Sequence, residues 1–334
     1  MISLHCIVKN EEKLLGQMLR SVRDFVSEMI VVDTGSTDYT VELAKSLGAR
    51  VEHFDWCDDF SAARNYALSF VKTPWTIWLD ADDIVLNPEI LEAITTEAHK
   101  NQIAALWGTY RQDETCTQKR MQIFKPSKFK WEGVVHESPT SKRPLTETAY
   151  CELVVKHNKP ESRRFEACEK YLNILLEKDP ENHMGIAESY KLMAVKDPEQ
   201  YTPLAFDRYL KAMQHELVNA GTRYIACFHC ARLALEAAKH NQTDSAAVEI
   251  AFKMANLGIT IEPKRAECYV ILGQLHHALG HWDEAAKLYR SALDLKAPKD
   301  MIGLVYPAYY GQLPTLLLEA LEGQRVKSKE LESV

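Results

Sequence analysis

Positive charge is scarce in this chain: 40 Lys and Arg face 47 Asp and Glu, for a net charge of -7 and a pI near 6.0. That balance lacks the electropositive footprint with which proteins grip a phosphate backbone, so no nucleic-acid partner is expected. Long apolar runs are also missing, since no window approaches the roughly 18 residues that span a bilayer. The opening "MISLHCIVKN" has neither the basic region nor the apolar run of a secretory signal. No transmembrane segment and a cytoplasmic location follow as expectations. The eight cysteines form no spaced framework, which suits reduced thiols. The one CxxC, Cys227 to Cys230, stands in a helical stretch without a second pair at zinc-finger spacing and reads as two small apolar residues on one helix face. Glycine-rich phosphate loops are absent as well: no G-x-G-x-x-G and no G-x-x-x-x-G-K-[ST] occurs, which argues against a dinucleotide fold and a P-loop. A phosphate-bearing ligand would have to be neutralised by other means.

What is present is enough for two domains: 334 residues, 46% hydrophobic and 26% charged, an ordinary globular composition. The texture changes near residue 160. Before it, "ISLHCIV", "EMIVVDTG", "RVEHFDW" and "WTIWLDADD" read as strands, with "EEKLLGQMLRSVRDF", "TDYTVELAKSLG" and "SAARNYALSFV" as helices between them. That alternation predicts βαβ units and a mostly parallel sheet over residues 1–160. Over 161–334 the strands stop, and amphipathic stretches such as "RRFEACEKYLNILLEKDP" and "PLAFDRYLKAMQHEL" predict a helical array. In "CYVILGQLHHALGHWDEAAKLYRSALDL", Leu272, Gly273, Gly280, Ala285, Tyr289 and Ala292 supply the small and large residues that a tetratricopeptide repeat needs where its two helices cross.

Ligands of open parallel sheets bind beyond the carboxyl ends of the strands. Each polar cluster of the first half falls at such an end: "KNEE", "DTGSTD" and "DADD". In the second cluster Ser36, Thr37 or Asp38 is expected to cap the following helix, whereas Asp33 is given no capping role. "TIWLDADDIVL" is the sharpest case, a buried strand running into Asp80, Asp82 and Asp83. These carboxylates either cap a helix beginning near Pro88 or surround a cation. Asp80-Ala81-Asp82 can hold a hard divalent ion, and such an ion can bridge the oxygens of a diphosphate.

The blocks "CIVKNEE", "VVDTGSTDYTVELAKSLGA", "DDFSAARNYAL" and "WLDADD", in this order, resemble the family 2 glycosyltransferases with a nucleotide-diphospho-sugar-binding GT-A fold. "FKWEGVVHESP" and "VVKHNKP" are similar to the branch in which tetratricopeptide-like helices follow the catalytic domain, as in bacteriocin S-glycosyltransferases. The resemblance implies an inverting transferase with a nucleotide-diphospho-sugar donor, UDP-hexose in the first instance, and a divalent cation, Mn or Mg. It assigns Val8, Asn10 and Glu12 to the nucleoside, Asp33 to the base, Arg64 to base or diphosphate, Asp80 to ribose and donor sugar, and Asp82 to the metal. Ile7 and Lys9 stand where many relatives have Pro and Tyr, a departure that bears on nucleoside stacking.

An inverting transferase needs a base for the acceptor proton, and the resemblance offers Glu137 and Glu132, of which Glu137 is preferred. Gly133 is expected to let the chain approach the donor, and His136 to orient the carboxylate or touch phosphate. His157 is expected to complete the metal site. Rival readings are a peptide-binding tetratricopeptide adaptor with a degenerate nucleotide-sugar domain, and a nucleotidyl transferase, which usually carries a glycine-rich basic loop not present here. For the array, a peptide or protein acceptor or a homodimer is expected.

Overall fold

The computed structural model describes residues 1–112, 117–142, 147–158, 168–214, 219–240, 245–298 and 303–332. The chain divides into two compact units, residues 1–114 with 118–180, and residues 115–117 with 181–334. The boundary expected at residue 160 falls within 159–167, outside the described residues.

The first unit begins with β1 (Ile2–Val8), α1 (Leu15–Val22), β2 (Glu28–Asp33), α2 (Thr40–Ser46), β3 (Arg50–His53), α3 (Phe60–Ser69) and β4 (Trp75–Trp78). These strands pair in parallel in the order β3-β2-β1-β4. Central β1 is buried almost throughout, which is why it reads as a continuous apolar run rather than an alternating one. Leu15, Met18, Leu19 and Val22 of α1 recur at helical spacing and are all buried.

Past β4 come β5 (Asp83–Val85), α4 (Leu91–Lys100), β6 (Ala105–Arg111), β7 (Thr117–Phe124), β8 (Phe129–Glu132), β9 (Ser138–Ser141), β10 (Thr148–His157) and α5 (Cys168–Lys178). The sheet continues as β4-β7-β6-β10-β5, with β7 antiparallel to β4, β10 parallel to β6 and β5 antiparallel to β10. A mostly parallel sheet in an α/β unit is the expected fold class. β8 and β9 form a separate antiparallel hairpin. Neither Asp82 nor Asp83 caps the helix near Pro88: Asp83 opens β5, and the residue before the 3-10 turn Pro88–Ile90 is Asn87. The Asn87 amide is itself engaged with the backbone of Glu152 and Val154, at 2.9 and 2.8 Å.

The second unit is a run of helices: α6 (His183–Met193), α7 (Pro198–Gln214), α8 (Ala220–His240), α9 (Ser245–Ile261), α10 (Glu267–Ala278), α11 (Trp282–Asp294) and α12 (Gln312–Glu332). A three-residue strand, Gly303–Val305, is an exception to the expectation that strands stop at residue 160. α7 starts before the expected "PLAFDRYL", because Asp197 accepts from the Gln200 N–H at 3.1 Å and Pro198 suits the first helical position; Pro203 lies inside the helix. Cys227 and Cys230 are both buried free thiols on α8, as the apolar reading requires. In the tetratricopeptide segment, a Cβ on Gly273 would come within 2.4 Å of the Tyr289 ring, so the glycine is what lets α10 and α11 approach. Gly280 turns the chain between them at φ +75. Among the described residues, no helix is long and apolar enough to cross a membrane.

Candidate active site

Parallel pairing sets Val8 beside Asp33 and His5 beside Trp78, so the ends of β1, β2 and β4 lie side by side. A cavity of about 660 Å³ opens there, within the size range of small-molecule sites. Val8, Asn10, Arg64, Asp80, Asp82, His136, Glu137 and His157 line it, together with Arg120 and with Lys170 and Tyr171 of α5.

Arg64 projects from α3, whose first turn is capped by Asp59 accepting from the Ala62 N–H at 3.0 Å. Its side chain is 5% exposed, and its fork joins two carboxylates: Nη2 to Asp80 at 2.6 Å and Nε to Glu137 at 2.5 Å. Two buried tryptophans, Trp78 and Trp131, hold the guanidinium carbon at 4.7 and 4.8 Å from their ring centres. Beneath them His5 contacts Thr76 at 2.7 Å and the Trp131 indole N–H at 3.3 Å. Burial, reinforced by the Arg64 charge, lowers the His5 pKa to about 3 and keeps this imidazole neutral.

Asp80 accepts from a second arginine, Arg120, at 3.0 Å. Burial opposes its charge, but the two guanidiniums outweigh that penalty and hold its carboxyl far below the usual range. Asp83 is fully buried; it accepts from the Asp80 backbone N–H at 2.9 Å and from the Tyr110 hydroxyl at 2.8 Å. The β10–β5 register sets His157 opposite Asp83. His157 Nδ1 consequently lies 3.3 Å from Asp83, 3.5 Å from Asp82 and 2.7 Å from the Tyr110 hydroxyl. Burial disfavours the charged imidazole, yet the Asp83 hydrogen bond and the neighbouring carboxylates raise the His157 pKa above its ordinary value. Asp82, Asp83 and His157 offer ligand atoms within 4.8 Å of one another. Two hard oxygens and one imidazole suit Mn or Mg, so these residues fit the cation that the sequence leads one to expect.

Glu137 follows the turn after β8. Gly133 there has φ +103, and a Cβ on it would lie 3.2 Å from the Glu137 Cα. The glycine therefore lets Glu137 sit against the turn. His136, exposed and at φ +59, borders the same cavity. Glu132 points elsewhere: 46% exposed, it pairs with Lys130 at 2.6 Å.

Glu12 and Asp33 also serve the loops rather than the cavity wall. The Glu12 carboxylate accepts from the Tyr39 N–H at 3.1 Å, and Asp33 accepts from Gly35 and Ser36 N–H groups, each at 3.1 Å. Asp33 thus holds the turn ahead of α2 without capping the helix, in keeping with the capping role denied to it on sequence grounds. Asn10 Oδ1 accepts from the Thr37 N–H at 2.8 Å, tying the first loop to the second. The N-cap of α2 is Tyr39, without a side-chain cap, instead of Ser36, Thr37 or Asp38; Asp38 stands one residue earlier and accepts from the Thr40 N–H at 3.0 Å. Sequence reasoning did not find Arg120, Tyr110, His5 or the buried role of Asp83. Arg120 had a signal, a charge directly preceding the apolar end of β7, "MQIF".

The model of Glycosyl transferase family 2 matches residues 3–172, just over half of the chain. A TPR repeat-containing protein of Synechococcus elongatus is 45% identical over 115 residues, 34% of this chain and 28% of its own length. The SPbeta prophage-derived glycosyltransferase SunS of Bacillus subtilis is 30% identical over 145 residues, 41% of this chain and 34% of its own. The chain thus spans about a third of the length of the curated relatives it matches. Glucosyl-3-phosphoglycerate synthase from Mycobacterium tuberculosis, solved with phosphoglyceric acid, aligns over 53% of this chain and 79% of its own at 18% identity and a TM-score of 0.40. With the family match resting on the unit that carries the cavity, the chain belongs to glycosyl transferase family 2.

Proposed function

We propose that the protein moves a sugar from a nucleotide-diphospho-sugar, UDP-hexose in the first instance, to an acceptor with inversion at the anomeric carbon and with a divalent cation. One observation carries this reading: Arg64, Asp80, Asp82, Glu137 and His157, scattered over 94 sequence positions from 64 to 157, border a single cavity at the carboxyl ends of the parallel strands. Asp82 and His157 would hold Mn or Mg, which when bound supplies Lewis-acid stabilisation of the departing diphosphate. Val8 and Asn10 form the nucleoside end, with Glu12 and Asp33 holding their loops in shape. Asp80, fixed by two arginines, faces ribose and donor sugar, while Arg64 and His136 lie on the diphosphate side. As the acceptor oxygen bonds to the anomeric carbon and the bond to the diphosphate breaks, Glu137 takes the acceptor proton. Arg64 orients that carboxylate.

The tetratricopeptide-like helices after the catalytic unit favour a peptide or protein acceptor, which they would position either in one chain or in a homodimer. The test is Asp82→Asn. It should lower transfer by at least about 100-fold and abolish the Mn-dependent part of UDP binding, because a ligand rather than a supporting residue is removed. Unchanged activity would take the cation away from Asp82. If the wild-type protein neither binds UDP with Mn nor turns over any sugar nucleotide, yet captures peptide, the adaptor reading replaces this one.

A further inference from the structure

Arg120 stands at the junction of the donor cavity with a second cavity of about 520 Å³, and it lines both. We propose that Arg120 is a positioning residue for the cation site, bracing Asp80 on one side and the Asp83–His157 pair on the other; this rests on the reading of Asp82 and His157 as metal ligands. β7 runs antiparallel to β4 with Ile123 opposite Ile77, and continuing that register brings Arg120 opposite Asp80. Its guanidinium carbon lies 3.8 Å from the ring centre of Trp78 and 4.4 Å from that of Tyr110. Stacking on two rings fixes the plane of the fork.

Within that plane, Nη2 donates to Asp80 Oδ2 at 3.0 Å, and Nη1 lies 3.6 Å from Asp83 Oδ2. Arg64 holds the other Asp80 oxygen at 2.6 Å. Asp80 therefore has both oxygens engaged by arginines; of the Asp82, Asp83 and His157 group, Asp82 and His157 would be the ligands and Asp83 their support. On the opposite branch, Asp83 Oδ1 meets both the Tyr110 hydroxyl and His157 Nδ1. Arg120 and Tyr110 together keep Asp83 in place against His157 Nδ1, which fixes the imidazole beside Asp82. Carboxylate–histidine support of this kind governs ligand orientation.

Mn2+ titration of the full-length protein without nucleotide, followed by the EPR signal of free Mn2+, tests the proposal. Arg120→Met preserves a stem for the aromatic stack but removes the fork. It should weaken Mn2+ binding by about 10-fold to 100-fold, with kcat falling more than KM for the donor rises. Arg120→Lys restores charge without the two-armed geometry and should recover only part of the loss. Tyr110→Phe keeps the ring, removes the hydroxyl bond to Asp83, and should weaken Mn2+ binding with the urea midpoint preserved. If Arg120→Met leaves Mn2+ affinity intact and raises only the donor KM, Arg120 touches the donor and the proposal is wrong. It is also wrong if Arg120→Met and Tyr110→Phe lower Mn2+ affinity only in proportion to a loss of folded protein. A wild-type protein that binds no Mn2+ would overturn the underlying metal reading as well, whereas wild-type binding with unaltered Arg120→Met binding would overturn this inference alone.

Discussion

Glu137 and Glu132 lie five positions apart in sequence and in different surroundings. Glu137 is 10% exposed and held by Arg64, while Glu132 alternates outward on β8 and pairs with Lys130 in solvent. Alternation alone separates the two: Phe129 and Trp131 are buried, so Lys130 and Glu132 face away. Glu137→Gln should lower kcat by about 100-fold or more with little change in donor affinity, as expected for loss of a general base. Glu132→Gln should leave steady-state kinetics within about twofold, because an exposed pair of this kind contributes little. Measuring both variants side by side decides the choice, and a large effect at Glu132 with none at Glu137 would reverse it.

At the scale of elements, the site depends on one antiparallel pairing. β10 carries His157 to Asp83 because Val155 pairs with Val85, and a one-residue slip would turn His157 to the other face of the sheet. The helical unit has its own close approach, Gly273 of α10 against Tyr289 of α11. The Tyr289 hydroxyl is buried without a hydrogen-bond partner, and burial pushes its pKa up, so only the ring contributes to the contact. Tyr289→Phe should accordingly be neutral or stabilise the unit by up to about 1 kcal/mol, since it removes an unsatisfied polar group. Gly273→Val should destabilise by about 1–3 kcal/mol through overpacking. Urea unfolding followed by far-UV circular dichroism reads both, and a destabilised Tyr289→Phe would show that the hydroxyl has a partner.

For the whole molecule, the useful division is the one after Pro180. Helix α5 lies in the first unit, where Tyr171 meets Phe60 edge-on at 5.4 Å and Lys178 Nζ bonds the Cys57 carbonyl at 2.8 Å. Lys170 and Tyr171 also line the donor cavity. A fragment of residues 1–180 should remain soluble and bind UDP with Mn, while one of residues 1–160 loses that wall of the cavity and should bind at least about 10-fold more weakly. Acceptor transfer by the longer fragment tests the helices. Full transfer would exclude them from acceptor recognition; donor binding with transfer lost would support their role.

Sequence by itself determined whatever is encoded over short distances. Apolar spacing in β1 and α1, the crossing residues of the tetratricopeptide pair and the acidic clusters at strand ends were legible because each depends on neighbours within a few turns or one strand. The same locality made Asp80, Asp82, Arg64 and Glu137 nameable from their blocks. Which of them touch was decided by tertiary structure alone: Arg64 meets Glu137 across 73 positions, His157 meets Asp83 across 74, and Arg120 meets Asp80 across 40. Strand order and register set those pairs, and both arise from how the entire sheet buries its faces. For the same reason the turn N–H groups that Asp33 and Glu12 satisfy came into view only with the structure, because a carboxylate's partner is a matter of position in space.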